Sequence, residues 1–109
     1  MKEKLLGIIN HYGIDNQQRK LQEEVFELQE IITKVELLKY LNKLSEEQDE
    51  APIWKIEEYY KYIEEEMADV HVLLSQIYYY YGLDNQKITR IMEEKVNRQN
   101  ERIMKEEEK

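Results

Sequence analysis

Residues Tyr59–Tyr81 read YYKYIEEEMADVHVLLSQIYYYY. At about 100° per residue, Tyr59, Ile63, Val70, Leu73, Leu74 and Ile77 gather on one side of a helix. The stretch is therefore read as an amphipathic helix with that side turned to a core. At its centre lies Glu64-Glu65-Glu66-Met67-Ala68-Asp69-Val70. Glu64 and Glu65 fall off the apolar stripe. Glu66 falls in the middle of it, and Asp69 lies roughly 60° to one side, one turn along. A carboxylate in the centre of a buried face costs several kcal/mol unless something positive meets it. The rest of the chain has to account for that pair.

Working outward, Gly82 stops this helix and Asp84 caps a fourth one, which is expected to run through Ile103. Residues 104–109 are expected to form a frayed tail. On the N-terminal side, the polar and acidic segment 45–52 reads as an exposed loop. Its last residue, Pro52, suits the first turn of the helix that follows. Before the loop, Gln17 to Leu44 is helical throughout. Its stripe is Leu21, Val25, Leu28, Ile32 and Val35, at alternating spacings of four and three. Residues 2–11 form a shorter amphipathic helix with Leu5, Leu6, Ile8 and Ile9 on the buried side. Tyr12-Gly13 ends it, with Gly13 supplying a left-handed residue past the last turn, and Asp15 is the expected N-cap of the second helix. Tyr12-Gly13-Ile14-Asp15-Asn16-Gln17 recurs as Tyr81-Gly82-Leu83-Asp84-Asn85-Gln86. The same stop and restart written twice explains the recurrence; a duplicated helix pair is the alternative.

The composition agrees with this reading. Hydrophobic residues make up 41% and charged residues 37% of 109 residues, with three Gly and one Pro. No segment keeps a strand pattern, so the fold class is all-α. The expected architecture is a four-helix bundle, a short N-terminal helix plus three long ones, forming one domain over residues 1–109. A net charge of −8 argues against a nucleic-acid partner, because phosphate backbones select basic surfaces. The chain has no cysteine, so it has neither a disulfide framework nor a thiolate zinc site. No apolar run approaches the ~20 residues of a membrane span, and the apolar run after Met1 is too short for a signal peptide. A cytoplasmic location and no membrane partner are expected.

The second helix carries its own acidic cluster, Glu23-Glu24-Val25-Phe26-Glu27. Glu23 points to the polar side. Glu24 lies at the edge of the apolar stripe beside Leu21, Leu28 and Ile31, and Glu27 lies a turn further on. Two helices thus each place carboxylates three residues apart on or beside a face that should be buried. Four converging carboxylates raise one another's pKa values unless a cation joins them. Oxygen-only ligands favour a hard divalent ion, namely magnesium, manganese or calcium. The bland alternative is chance spacing in a chain with 24 acidic residues. It explains one such pair more readily than two pairs set against apolar stripes.

The fourth helix supplies the opposite sign. Its stripe is Ile88, Ile91, Met92, Val96 and Ile103. Lys95 falls inside the stripe, and Arg98 and Arg102 line one edge. These cations either pair with the carboxylates or bind phosphates. Trp54 is a candidate for stacking on a base, packing being the alternative. Other chemistries find no support. His71 follows Glu66 by five residues, so the Glu-x-x-His pattern of a di-iron bundle is absent. No Gly-rich phosphate loop and no cysteine nucleophile exist.

Taken together, these motifs resemble those of the MazG-like, all-α nucleoside triphosphate pyrophosphohydrolases. Glu23-Glu24-Val25-Phe26-Glu27 is similar to their E-E-x-x-E motif, Glu66-Met67-Ala68-Asp69 to their E-x-x-D motif, and Lys95 with Arg98 to their basic motif on the last helix. The likeness spans about Gln18 to Ile103. It implies a magnesium-dependent enzyme, with manganese as a substitute metal, that cleaves a nucleoside or deoxynucleoside triphosphate to the monophosphate and pyrophosphate. It implies metal ligation by Glu24, Glu27, Glu66 and Asp69, with Glu24 or Glu27 handling the attacking water. Lys95 and Arg98 would hold phosphates, Glu23 and Arg102 would be accessory, and the chain would form a homodimer or homotetramer. The segment between Glu27 and Glu66 is longer than in compact members, which leaves base preference and subunit arrangement open. Two other readings stand beside this one: a non-catalytic helical interaction module, and a nucleotide-binding regulator without hydrolysis.

Overall fold

The computed structural model of the chain describes residues 1–48, 51 and 54–108. Four helices follow in order: α1 (Lys2–Tyr12), α2 (Ile14–Glu47), α3 (Glu57–Tyr80) and α4 (Asn85–Glu107). The described residues contain no strand, and no helix is long and apolar enough to cross a membrane. The fold is all-α.

α2 is uninterrupted over 34 residues, and it contains neither Gly nor Pro. It reaches past the expected end at Leu44, so Ser45 to Glu47 are helical rather than loop. Pro52 lies outside the described residues, and α3 starts at Glu57. α4 likewise continues past Ile103 to Glu107, so most of the segment read as a frayed tail is helical.

The two Tyr-Gly-x-Asp-Asn-Gln copies are used differently. After α3, Gly82 (φ 64°) is the left-handed residue of a closed stop. Leu83 N donates to Tyr78 O, and Gly82 N to Tyr79 O, at 2.9 and 3.2 Å. Asp84 then accepts from the backbone N–H groups of Gln86 and Lys87 and caps α4, as its sequence predicts. At the first copy the chain turns on Gly13 alone, at φ 90° and ψ 151°. That is positive-φ extended backbone, not the left-handed helical region. Gly13 is itself the N-cap of α2. Asp15 is therefore the second helical residue and caps nothing, because the chain re-enters a helix two residues too early.

α2 and α3 run antiparallel, as shown by a hydrogen bond from Gln17, near the start of α2, to Gln76, near the end of α3. α1 lies mainly against α3, with a lighter contact to α2. Leu5 and Ile9 of α1, Val35 and Leu38 of α2, and Val70 and Leu73 of α3 form the buried core. The α2–α3 connection is clamped by Asn42, whose side chain donates to Trp54 O (2.9 Å) and accepts from Trp54 N (3.1 Å).

The buried face of α2 is rotated from the sequence reading. It passes through Gln17, Leu21, Glu24, Leu28, Ile31, Val35, Leu38 and Asn42, while Val25 and Ile32 remain 37% and 40% exposed. This line alternates steps of four and three throughout, the seam along which two helices stay in contact. Two apolar positions beside it gave a wrong centre. On α3, Leu74 falls outside the seam for the same reason and is exposed, whereas Val70 and Leu73 are buried.

α4 does not close a four-helix bundle. It makes almost no contact with the other helices, and none of its residues is buried. The radius of gyration is 19.4 Å, against about 13 Å for a compact chain of this length.

Candidate metal centre

The rotation of α2 places Glu24 in the seam itself. Glu24 sits seven residues after Gln17 and seven before Ile31, in line with the buried positions. Glu66 holds the matching place on α3, between Ile63 and Val70. Because the helices are antiparallel, the two glutamates meet, Glu24 in the first third of α2 and Glu66 near the middle of α3. One carboxylate oxygen from each of Glu24, Glu66 and Asp69 lies within 4.8 Å of the others. Glu24 and Glu66 are half-buried, and Asp69 is at the exposed rim. The Oε2 atoms of both glutamates are buried and have no hydrogen-bond partner. Lys20, one turn before Glu24, stands 4.0 Å from its other oxygen.

The cluster perturbs itself. Glu66 is pushed up from 4.5 to about 7, chiefly because its protonated form can donate a hydrogen bond to Glu24, then by burial and by the negative charges of Glu24, Glu27 and Asp69. Glu27 is thus close enough to be felt at Glu66, but it is exposed and outside the compact trio. Glu23 is exposed beside it.

A cavity of about 500 Å³ opens beside the carboxylates. It is lined by Glu24, Lys20 and Gln17 from α2, by Asp69, Val72, Leu73 and Gln76 from α3, and by Ile8 and Tyr12 from α1. The short first helix thus forms one wall. Gln17, Gln76 and Lys20 have no place in the motif reading. The signal that finds the two glutamines is register: each lies seven residues from an acidic member of the cluster, on the same helix face.

Other residues singled out from sequence do not join the cluster within the chain. Lys95, Arg98 and Arg102 line a shallow concavity of about 160 Å³ on α4, and none of them pairs with an acid among the described residues. Trp54 is held by Asn42, which lies 18 residues and roughly 27 Å along α2 from Glu24. The structure does not bring its ring to the carboxylates. His71 is exposed.

No family model matches this chain, and neither a curated protein nor a solved structure does so with significance.

Proposed function

We propose that the chain is a MazG-like nucleotide pyrophosphohydrolase that acts with magnesium, or manganese, on a nucleoside or deoxynucleoside triphosphate. The observation that carries this reading is the pair of orphaned oxygens, Glu24 Oε2 and Glu66 Oε2. Buried carboxylate oxygens with no donor are costly. A hard divalent cation is the partner that an all-oxygen set of Glu24, Glu66 and Asp69 selects, with Glu27 completing it. When bound, such an ion neutralises phosphate charge and makes a coordinated water more acidic.

The side chains divide the remaining work. Glu27, whose charge is felt at Glu66, would orient the attacking water and take its proton; Glu24 is the alternative, and Glu23 would support the local negative field. Ile8, Tyr12, Val72 and Leu73 give the adjoining cavity apolar walls, which suit the nucleoside part of a nucleotide. Lys95 and Arg98, with Arg102 at their side, offer a cationic concavity for phosphates. Because α4 stands apart from its own chain, we place that contact in a homodimer or homotetramer. Association would cover Ile91, Met92, Val96 and Ile103, all of which are exposed.

The uncovered α4 face also favours a second reading, a helical interaction module with no chemistry. Product analysis separates the two. Incubation with magnesium and a panel of triphosphates is expected to yield one pyrophosphate per monophosphate and no free phosphate. A panel without any such product leaves only the interaction module or a binding regulator.

A further inference from the structure

The wall of the cavity contains a buried amide pair that cleavage of a triphosphate does not use. Gln17 and Gln76 are 5% and 2% exposed, and Gln17 Nε2 donates to Gln76 Oε1 at 2.8 Å. Each amide has more hydrogen-bonding capacity than that single bond consumes. Gln17 Oε1 and the Gln76 Nε2 group find no partner among the described residues, yet neither atom is among those sealed from solvent. Both residues line the cavity. The pair thus borders a cavity of about 500 Å³.

The open atoms are one acceptor and one donor, side by side. Turning both amides over keeps the bond between them and reverses its direction, leaving a donor on Gln17 and an acceptor on Gln76. Held in either one of these two orientations, the pair presents one donor beside one acceptor in a fixed order. Every nucleobase carries an adjacent donor and acceptor on its pairing edge, adenine and cytosine in one order and guanine, thymine and uracil in the other, so a fixed order on the protein separates the two sets. Gln17 and Glu24 are seven residues apart on α2, and so are Asp69 and Gln76 on α3. Seven residues span about 10.5 Å of helix, which leaves room for a nucleoside between the amides and the carboxylates.

We infer that Gln17 and Gln76 are the specificity-determining residues of the site: they read the pairing edge of a nucleobase whose phosphates lie toward Glu24, Glu66 and Asp69. This assignment rests on the nucleotide reading proposed above, though not on the reaction. It is tested on the full chain with magnesium and dAMP, dCMP, dGMP, dTMP and dUMP, by following the side-chain amide signals of the two glutamines. Those signals are expected to move on titration. The tightest monophosphate is expected to bind at least about tenfold more strongly than the weakest, the scale of one two-bond base contact. The double variant Gln17→Met/Gln76→Met replaces both partners at once, so neither amide is left stranded. It is expected to compress that ratio below about threefold.

An unchanged ratio in the double variant, or amide signals unmoved by every nucleotide, overturns the assignment. If the double variant fails to fold, the amide signals of the unsubstituted protein decide. Pyrophosphate release distinguishes this assignment from hydrolysis itself. Release with the same base preference in both proteins defeats the base-reading role and leaves hydrolysis standing. Nucleotide binding at the glutamines without release defeats hydrolysis and leaves the base-reading role standing.

Discussion

Glu24 of α2 and Glu66 of α3 face one another across the seam of the structure, and each keeps its Oε2 buried without a hydrogen-bond partner. Their carboxylates, together with that of Asp69, lie within 4.8 Å of each other. The arrangement is unfavourable as it stands: three acids converge where helix packing has removed much of the water, and Lys20 touches only the rim. Antiparallel packing of α2 and α3 enforces the meeting, because both glutamates occupy seam positions between apolar residues. Local sequence and tertiary packing conflict here, as they do at functional or strained sites.

That conflict predicts a pH dependence. The Glu66 carboxyl is raised from 4.5 to about 7, first because its protonated form can donate a hydrogen bond to Glu24. In the metal-free fold it keeps a proton that the unfolded chain would release. The stabilisation is therefore complete below about pH 4.5 and is lost as pH rises through about 7. Glu66→Gln supplies a donor to Glu24 without the titration. In chelator, the Tm of Glu66→Gln is expected to rise above that of the unsubstituted protein across that window, and a gap independent of pH contradicts the account. Magnesium should reverse the ordering above pH 7, since it binds the ionised carboxylate.

Sequence periodicity identified much of this arrangement. It placed Glu66 in the middle of a buried face, and there it is. It placed the end of α3, the stop at Gly82 and the cap at Asp84 within a residue, but it started α3 near Pro52, whereas the helix begins at Glu57. It put Glu24 at the edge of its stripe rather than in the seam, because Val25 and Ile32 are as apolar as the residues that are buried. Which of two adjacent apolar lines faces inward depends on the partner helix, and α2 alone carries no record of it. Gln17 and Gln76 carry no signal beyond their seven-residue register with the acids: a glutamine belongs on a surface until a second glutamine meets it, and these two are separated by 59 residues. The isolation of α4 also lies outside any local pattern, since its apolar stripe reads the same whether its partner is the same chain or another.

The turn between α1 and α2 gives a backbone prediction. Gly13 sits at φ 90° and ψ 151°, a region that essentially only glycine occupies. A Cβ there would meet no atom within 4 Å, so the cost is conformational rather than steric. Gly13→Ala is expected to lose about 1–3 kcal/mol in denaturant unfolding. A neutral result would show that α1 joins α2 by a different turn.

The Asn42 clamp gives a third prediction. Its side chain makes both a donated and an accepted bond to the backbone of Trp54. Asn42→Ala leaves that N–H and C=O to find water, at a cost of about 1–3 kcal/mol. The chain has one tryptophan, so its fluorescence reports on the connection directly. A shift of emission at low denaturant, ahead of the loss of helical circular dichroism, is the expected signature.

Association through α4 can be tested by charge. Val96 and Met92 are 54% and 60% exposed on a helix that touches little of its own chain. Light scattering is expected to give a dimer or tetramer for the unsubstituted protein and a monomer for Val96→Glu, with helical content retained. A monomeric unsubstituted protein would remove the oligomer from the proposal.

The most direct measurement is magnesium-dependent pyrophosphate release from a panel of nucleoside and deoxynucleoside triphosphates, comparing the unsubstituted chain with Asp69→Asn. Asp69 is the exposed member of the trio, so its replacement tests the site with little disturbance of the core. The account predicts release by the unsubstituted chain that vanishes in chelator and falls at least about a hundredfold in Asp69→Asn, the upper range for losing a group that supports a metal. Release that is indifferent to magnesium and to Asp69, or no release from any triphosphate, contradicts it.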